Sequence, residues 1–114
     1  MQMLVILSIL MVFCTGCASS PLIAKEKSNE LQKFAYANCL MWYLESKGHD
    51  TKDIRAISGG IVETSNISID RFQQVALIVK EYHPNLKTKN NIDINLLRCF
   101  HLEESIELTK ALEK

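Results

Sequence analysis

An excess of charge is missing from this chain: Lys plus Arg and Asp plus Glu number 13 each across 114 residues. Such a balance sets up no field for a polyanion, which excludes nucleic acid as an expected partner. The signatures of catalysis are missing too. There is no Gly-x-Ser-x-Gly elbow, no glycine-rich phosphate loop and no Cys-Gly nucleophile motif. His49, His83 and His101 pair with no other His, Cys or Glu at a spacing such as His-Glu-x-x-His. Each therefore reads as a surface or capping residue, and no metal is implied. Glu103, Glu104 and Glu107 gather on a terminal amphipathic stretch, where carboxylates form a solvated face. No alternation of useful length marks a strand. The expectation is a protein that is not an enzyme, needs no cofactor and folds as one all-α domain.

What is present begins with an apolar run, MQMLVILSILMVFCTGC, that carries no charge. A secretory core is roughly 7–15 residues long and ends at small residues, whereas a spanning helix wants about 20. Thr15-Gly16-Cys17 resembles a bacterial lipobox, which implies cleavage before Cys17 and lipid on its sulfur. Cys14 stands where that motif usually has Leu, and no Lys or Arg precedes the run. A plain cleaved signal or an uncleaved anchor are the alternatives. Ala18 and Ser19 follow the cysteine without an Asp, which by resemblance to sorted lipoproteins favours the outer membrane. The expected organisation is thus a lipoprotein-type signal over 1–16, a tether over 17–27 and a helical domain over 28–114.

The segment Leu31 to Leu44, LQKFAYANCLMWYL, is the most apolar beyond the N-terminus and holds the sole Trp. Leu31, Phe34, Ala35, Met41 and Trp42 keep helical spacing, while Leu40, Tyr43 and Leu44 widen the stripe. A helix apolar on most sides is one wrapped by others. Ser28 is its expected N-cap and Gly48 its stop. A second helix starts at Asp50 or Thr51 with Ile54, Ile57, Ile61 and Val62 on one side. Its Gly59-Gly60 pair costs helix propensity, about 1 kcal/mol per residue against Ala. Close helix–helix approach is the expected reason, a backbone surface offered to a partner the alternative. Ser68 caps a third helix, with Ile67 stapling onto Phe72 and His83-Pro84 ending it. Asp93 caps a short fourth helix from Ile94 to about His101. A fifth runs from about Glu103 with Ile106, Leu108 and Leu112 inward and acids in its first turn.

Four cysteines remain to be placed. Cys14 and Cys17 match a Cys-x-x-Cys spacing, but within a signal segment the pair reaches no folded site. Cys39 is an unpromising nucleophile in so apolar a helix. With Cys17 committed to lipid, Cys39 and Cys99 are left in an oxidising compartment, where a bridge is expected and two buried free thiols are the alternative. Closing a loop of about 60 residues would stabilise the fold by roughly 4 kcal/mol.

Two patterns carry a family resemblance. The first is Phe34-Ala35-Tyr36-Ala37-Asn38-Cys39-Leu40 in the early helix. The second is Leu96-Leu97-Arg98-Cys99 followed after five residues by Ser105-Ile106-Glu107-Leu108. Together, over roughly Leu31 to Leu112, they resemble the type VI secretion amidase immunity proteins of the fourth family, including the resistance-associated proteins. Arg98 replaces a Lys of that pattern, and His101 stands where Asp is common. The resemblance implies a small helical periplasmic protein with a Cys39–Cys99 disulfide and no cofactor, and family members often form homodimers. It implies a partner as well: a cognate peptidoglycan amidase, a cysteine–histidine enzyme, held by stoichiometric blocking of its cleft. The polar loop 85–93 is the natural intruder, with Asn85, Lys87, Lys89, Asn90 and Asn91 as expected contacts; a solvated connector is the bland reading of the same residues. A different function class stays open, an outer-membrane lipoprotein with a structural or adaptor role in an envelope complex. In either case the membrane is met only through the N-terminal lipid.

Overall fold

Leu31, Phe34, Ala35, Asn38 and Cys39 follow one another at three- and four-residue steps and are all buried, with Ala37 widening the stripe. They lie on α1, Pro21–Ser46. The computed structural model describes residues 21–114. The segment 1–16, Cys14 and Cys17 lie outside the described residues. Around α1 pack α2 (Lys52–Thr64), α3 (Ile69–Glu81), α4 (Ile94–Phe100) and α5 (Ile106–Glu113), so it is the central helix its apolar breadth calls for. A 3-10 turn, Leu102–Glu104, separates α4 from α5, and no strand occurs among the described residues.

The ends of α1 depart from expectation on one side only. The helix is already formed at Pro21, the first described residue, so Ser28 lies inside it rather than capping it, and residues 21–27 of the expected tether are helical. Ala24, Lys25, Glu26 and Lys27 are good helix formers. Side chains 22–27 are exposed, and local propensity suits this stretch to a helix. At the other end Gly48 takes φ 70°, the left-handed value that glycine tolerates. The Gly48 N–H donates to Glu45 O (3.0 Å) and the His49 N–H to Leu44 O (2.9 Å), the paired bonds of a Schellman stop.

Helix α2 is the peripheral element. It packs on α1 through half-buried Ile54, Ile61 and Val62, and no residue in it is fully buried. Ile57, expected inward, is 55% exposed. The helix runs unbroken through Gly59 and Gly60, and a Cβ on either would meet nothing within 4 Å. Close helix–helix approach is therefore not the reason for the pair. The Asp50 carboxylate accepts from Lys52 N (2.9 Å) and orients the helix entry.

Helix α3 begins where the staple places it. Ser68 has an extended N-cap backbone, although its hydroxyl makes no capping bond. Ile67 and Phe72 both join the core, and Phe72 meets Phe34 edge-on at 4.9 Å. Val75 and Val79, at three- and four-residue steps from Phe72, are sealed from solvent. Lys80 Nζ lies 5.4 Å from the centre of the Trp42 ring, a cation–π contact between α3 and α1.

The C-terminal region corrects a second expectation. Helix α5 does not start at Glu103: Ser105 Oγ caps it by accepting from Leu108 N (3.1 Å). Glu103 and Glu104 belong to the preceding 3-10 turn. The new start fixes the rotation of the helix, so Leu108, Ala111 and Leu112 turn inward. Ile106, two residues before Leu108, is left on the opposite side and 67% exposed. Finally, Cys39 and Cys99 form a disulfide with Cα atoms 5.6 Å apart and no exposure at either residue. That excludes the alternative of two free thiols and joins α4 to the middle of α1.

Candidate functional site

Between Tyr82 and Asp93 the chain has no helix of its own. Pro84 prevents α3 from continuing, because the residue before it is driven to extended backbone. Exposure then alternates: Tyr82, Pro84, Leu86 and Thr88 are half-buried, while His83, Asn85, Lys87 and Lys89 face solvent. This is the period of an extended segment lying along a surface. Asn90 and Asn91 continue the exposed set at the tip. All five expected contacts, Asn85, Lys87, Lys89, Asn90 and Asn91, thus sit on one accessible loop. Residues 83–92 contain Lys87 and Lys89 and no carboxylate, so the loop is cationic in a chain with no net charge.

Inside the loop the bonds are short-range. Thr88 Oγ1 donates to Asn90 O (3.0 Å), the Asn90 N–H donates back to Thr88 Oγ1 (3.2 Å), and Ile92 N donates to Asn90 O (2.7 Å). The strong ties are at its two ends. At the return end Asp93 caps α4, accepting from Asn95 N (2.8 Å) and Leu96 N (3.3 Å). The same carboxylate meets Lys47 Nζ at 2.6 Å, just beyond the end of α1. The hydrogen bond from Lys47 holds the Asp93 carboxyl below its usual range, and the same bond raises the Lys47 ammonium above its own. At the departure end Tyr82 Oη donates to His101 O (2.8 Å). Burial raises the Tyr82 phenol, with the charges of Glu104 and Glu107 adding to the shift, so it remains a neutral donor. Arg98 Nη1 donates to Val79 O (2.7 Å) and Tyr82 O (3.0 Å).

Three of these anchors, Tyr82, Arg98 and the Lys47–Asp93 pair, are not visible as functional residues in the sequence. The one available signal was an arginine wedged between Leu97 and Cys99 in an apolar helix. The remaining polar groups are scattered. His49 and His83 are exposed, and His101 Nδ1 lies 3.0 Å from Glu104 Oε2. Among the described residues no group of three or more His, Cys, Asp or Glu gathers as metal ligands would, and no helix is long and apolar enough to cross a membrane.

No curated protein and no solved structure matches the chain. A family model does. Tai4, described as a type VI secretion system amidase immunity protein, matches residues 29–112. That span holds both cysteines of the disulfide, the 83–92 loop and every anchor named above. The chain therefore belongs to the Tai4 family of type VI secretion system amidase immunity proteins.

Proposed function

We propose that this protein binds a cognate type VI secreted peptidoglycan amidase in the periplasm and inhibits it by stoichiometric occlusion, protecting the cell from self or sibling intoxication. The family match over residues 29–112 carries the proposal. The buried Cys39–Cys99 bridge supports the compartment, since such bonds persist where the surroundings are oxidising. The 83–92 loop supports the mode of action. It is exposed at the tip, tied at both ends and positively charged, so little ordering entropy remains to be lost on entering a cleft. Its lysines suit a cleft with an acidic rim, and electrostatic complementarity of that kind raises the association rate.

In this reading the segment 1–16 exports the chain, and lipid on Cys17 tethers it to the outer membrane. A second copy completes a homodimer, checked by light scattering of the purified domain. The deciding experiment expresses the product of the neighbouring reading frame in the periplasm, with and without this protein. Co-expression at equal or higher level is expected to abolish lysis. Lysis that continues despite a molar excess of the folded protein overturns the proposal.

A further inference from the structure

Arg98 is 3% exposed, yet no carboxylate pairs with it among the described residues. Its acceptors are two main-chain carbonyls, Val79 O in the last turn of α3 and Tyr82 O at the residue closing that helix. Nε is buried without any hydrogen-bond partner among the described residues. Burying a cation without a counter-charge is costly, and an apolar side chain of similar volume often serves stability as well or better. Stability is therefore a poor account of an arginine here. Geometry is a better one.

Tyr82 is the last residue before the loop, and Arg98 lies on α4, the helix the loop leads into. Its neighbour Cys99 is fixed to α1 by the disulfide. The two bonds from Nη1 thus tie the point where the chain leaves α3 to a helix already fixed covalently. Asp93 and Lys47 tie the point of return. Between these points the loop's hydrogen bonds among the described residues are the Thr88–Asn90 and Asn90–Ile92 pairs, which shape the tip. Half-buried Pro84, Leu86 and Thr88 lay the segment along the surface without fixing where it leaves α3. The carbonyl end of α3 carries partial negative charge, so it can hold a guanidinium without a carboxylate. Burial lowers the Arg98 pKa from its ordinary value, but a guanidinium starts high enough to stay charged.

We infer that Arg98 is a positioning residue for inhibition: by bonding Val79 O and Tyr82 O it fixes the exit of the 83–92 loop and holds its cationic tip in the orientation that meets the amidase. This rests on the proposal that the loop is the amidase-binding element.

The test uses the full mature chain with Arg98→Met, which keeps volume and removes both bonds, and Arg98→Lys, which keeps the charge without the planar fork. Two quantities are measured: backbone order parameters of residues 83–92 in the free chain, and affinity of each form for the wild-type amidase. In Arg98→Met the helices and the disulfide should persist while the loop order parameters fall below about 0.6, the flexible range. Affinity should weaken roughly tenfold or more, the lower end of what a charge-assisted hydrogen bond contributes. Arg98→Lys, which keeps the charge but not the fork that reaches both carbonyls, should lie between the wild type and Arg98→Met in both, measurably looser than the wild type. A folded Arg98→Met chain whose loop is as ordered as the wild type overturns the inference, as does lost affinity with loop order unchanged. If Arg98→Met does not fold, Arg98→Lys decides: a loosened loop supports the inference and a loop identical to the wild type overturns it. Loop order is read without the amidase, so it judges Arg98 separately. Failure of the wild-type chain to bind the amidase would instead remove the proposed function.

Discussion

Replacing Cys39 and Cys99 together by alanine removes the covalent tie between the middle of α1 and the end of α4 while leaving no unpaired thiol. The two cysteines are 60 residues apart in sequence, and both are sealed from solvent. Freeing a closed loop of that size restores chain entropy to the unfolded state equivalent to about 4 kcal/mol. Deleting the sulfurs from a packed interior adds a smaller cavity cost of about 1 kcal/mol. A domain of this size has only about 5–15 kcal/mol of stability in total, so the loss removes a third or more of it. The expected fall in Tm is about 20–40 °C. Urea and thermal melts of the double variant against the wild type measure it, with the slope of the urea transition checked for a change in the denatured state. A thiol reagent should find no reactive sulfur in the native mature protein once Cys17 is blocked or replaced, and two after unfolding and reduction. A double variant that melts within about 5 °C of the wild type would refute the reasoning, because the bridge would then constrain little that packing does not already hold.

Three further predictions test other parts of the structure. Lys87→Glu with Lys89→Glu reverses the charge of an exposed loop, so amidase binding should weaken chiefly in its association rate, with Tm unchanged; an unaltered rate across a salt series sinks the loop's role. Asp93→Asn retains the capping oxygen of α4 but loses the charge that pairs with Lys47. The folded Asp93 carboxyl is held down, so its contribution is complete above the unfolded value of about 3.9 and lost as pH falls through the lower folded value. The wild type should therefore out-melt Asp93→Asn at pH 7, and the gap should close toward pH 2; a gap independent of pH contradicts the assignment. On the alkaline side the raised Lys47 ammonium makes its contribution complete below the unfolded value of about 10.4 and lost above its folded value. Gly60→Ala sits within a helix where a Cβ meets nothing, so it should stabilise the fold by about 0.5–1 kcal/mol in urea melts; destabilisation would reveal a constraint on that backbone.

Signals that act over a few residues were legible. Gly48 ends α1, Asp93 caps α4, Ile67 and Phe72 bracket the start of α3, and Pro84 closes it, all from side chains within five positions of the backbone they satisfy. The buried stripe on α1 was legible in part for the same reason: Leu31, Phe34 and Ala35 are buried as their spacing implies, while Met41 and Trp42 are only half-buried and Asn38, a polar residue, lies in the stripe instead. The exposed loop could be read from its polarity. Its anchors could not, because Arg98 reaches Tyr82 and Val79 across 16 and 19 positions and Lys47 reaches Asp93 from just beyond the end of α1.

The sequence by itself thus determined the number of helices, most of their boundaries and the pair of cysteines able to bridge, because each follows from local hydrogen bonding, periodicity or elimination. Only the tertiary structure decided which faces meet. How α5 docks on α1 and α3 turns Leu108, Ala111 and Leu112 inward and leaves Ile106 67% exposed. Likewise, whether Gly59 and Gly60 touch a neighbour depends on where the other helices lie, and they lie elsewhere. The same holds for Arg98. An arginine in an apolar helix becomes an anchor only when the fold brings the open carbonyl end of α3 to its guanidinium.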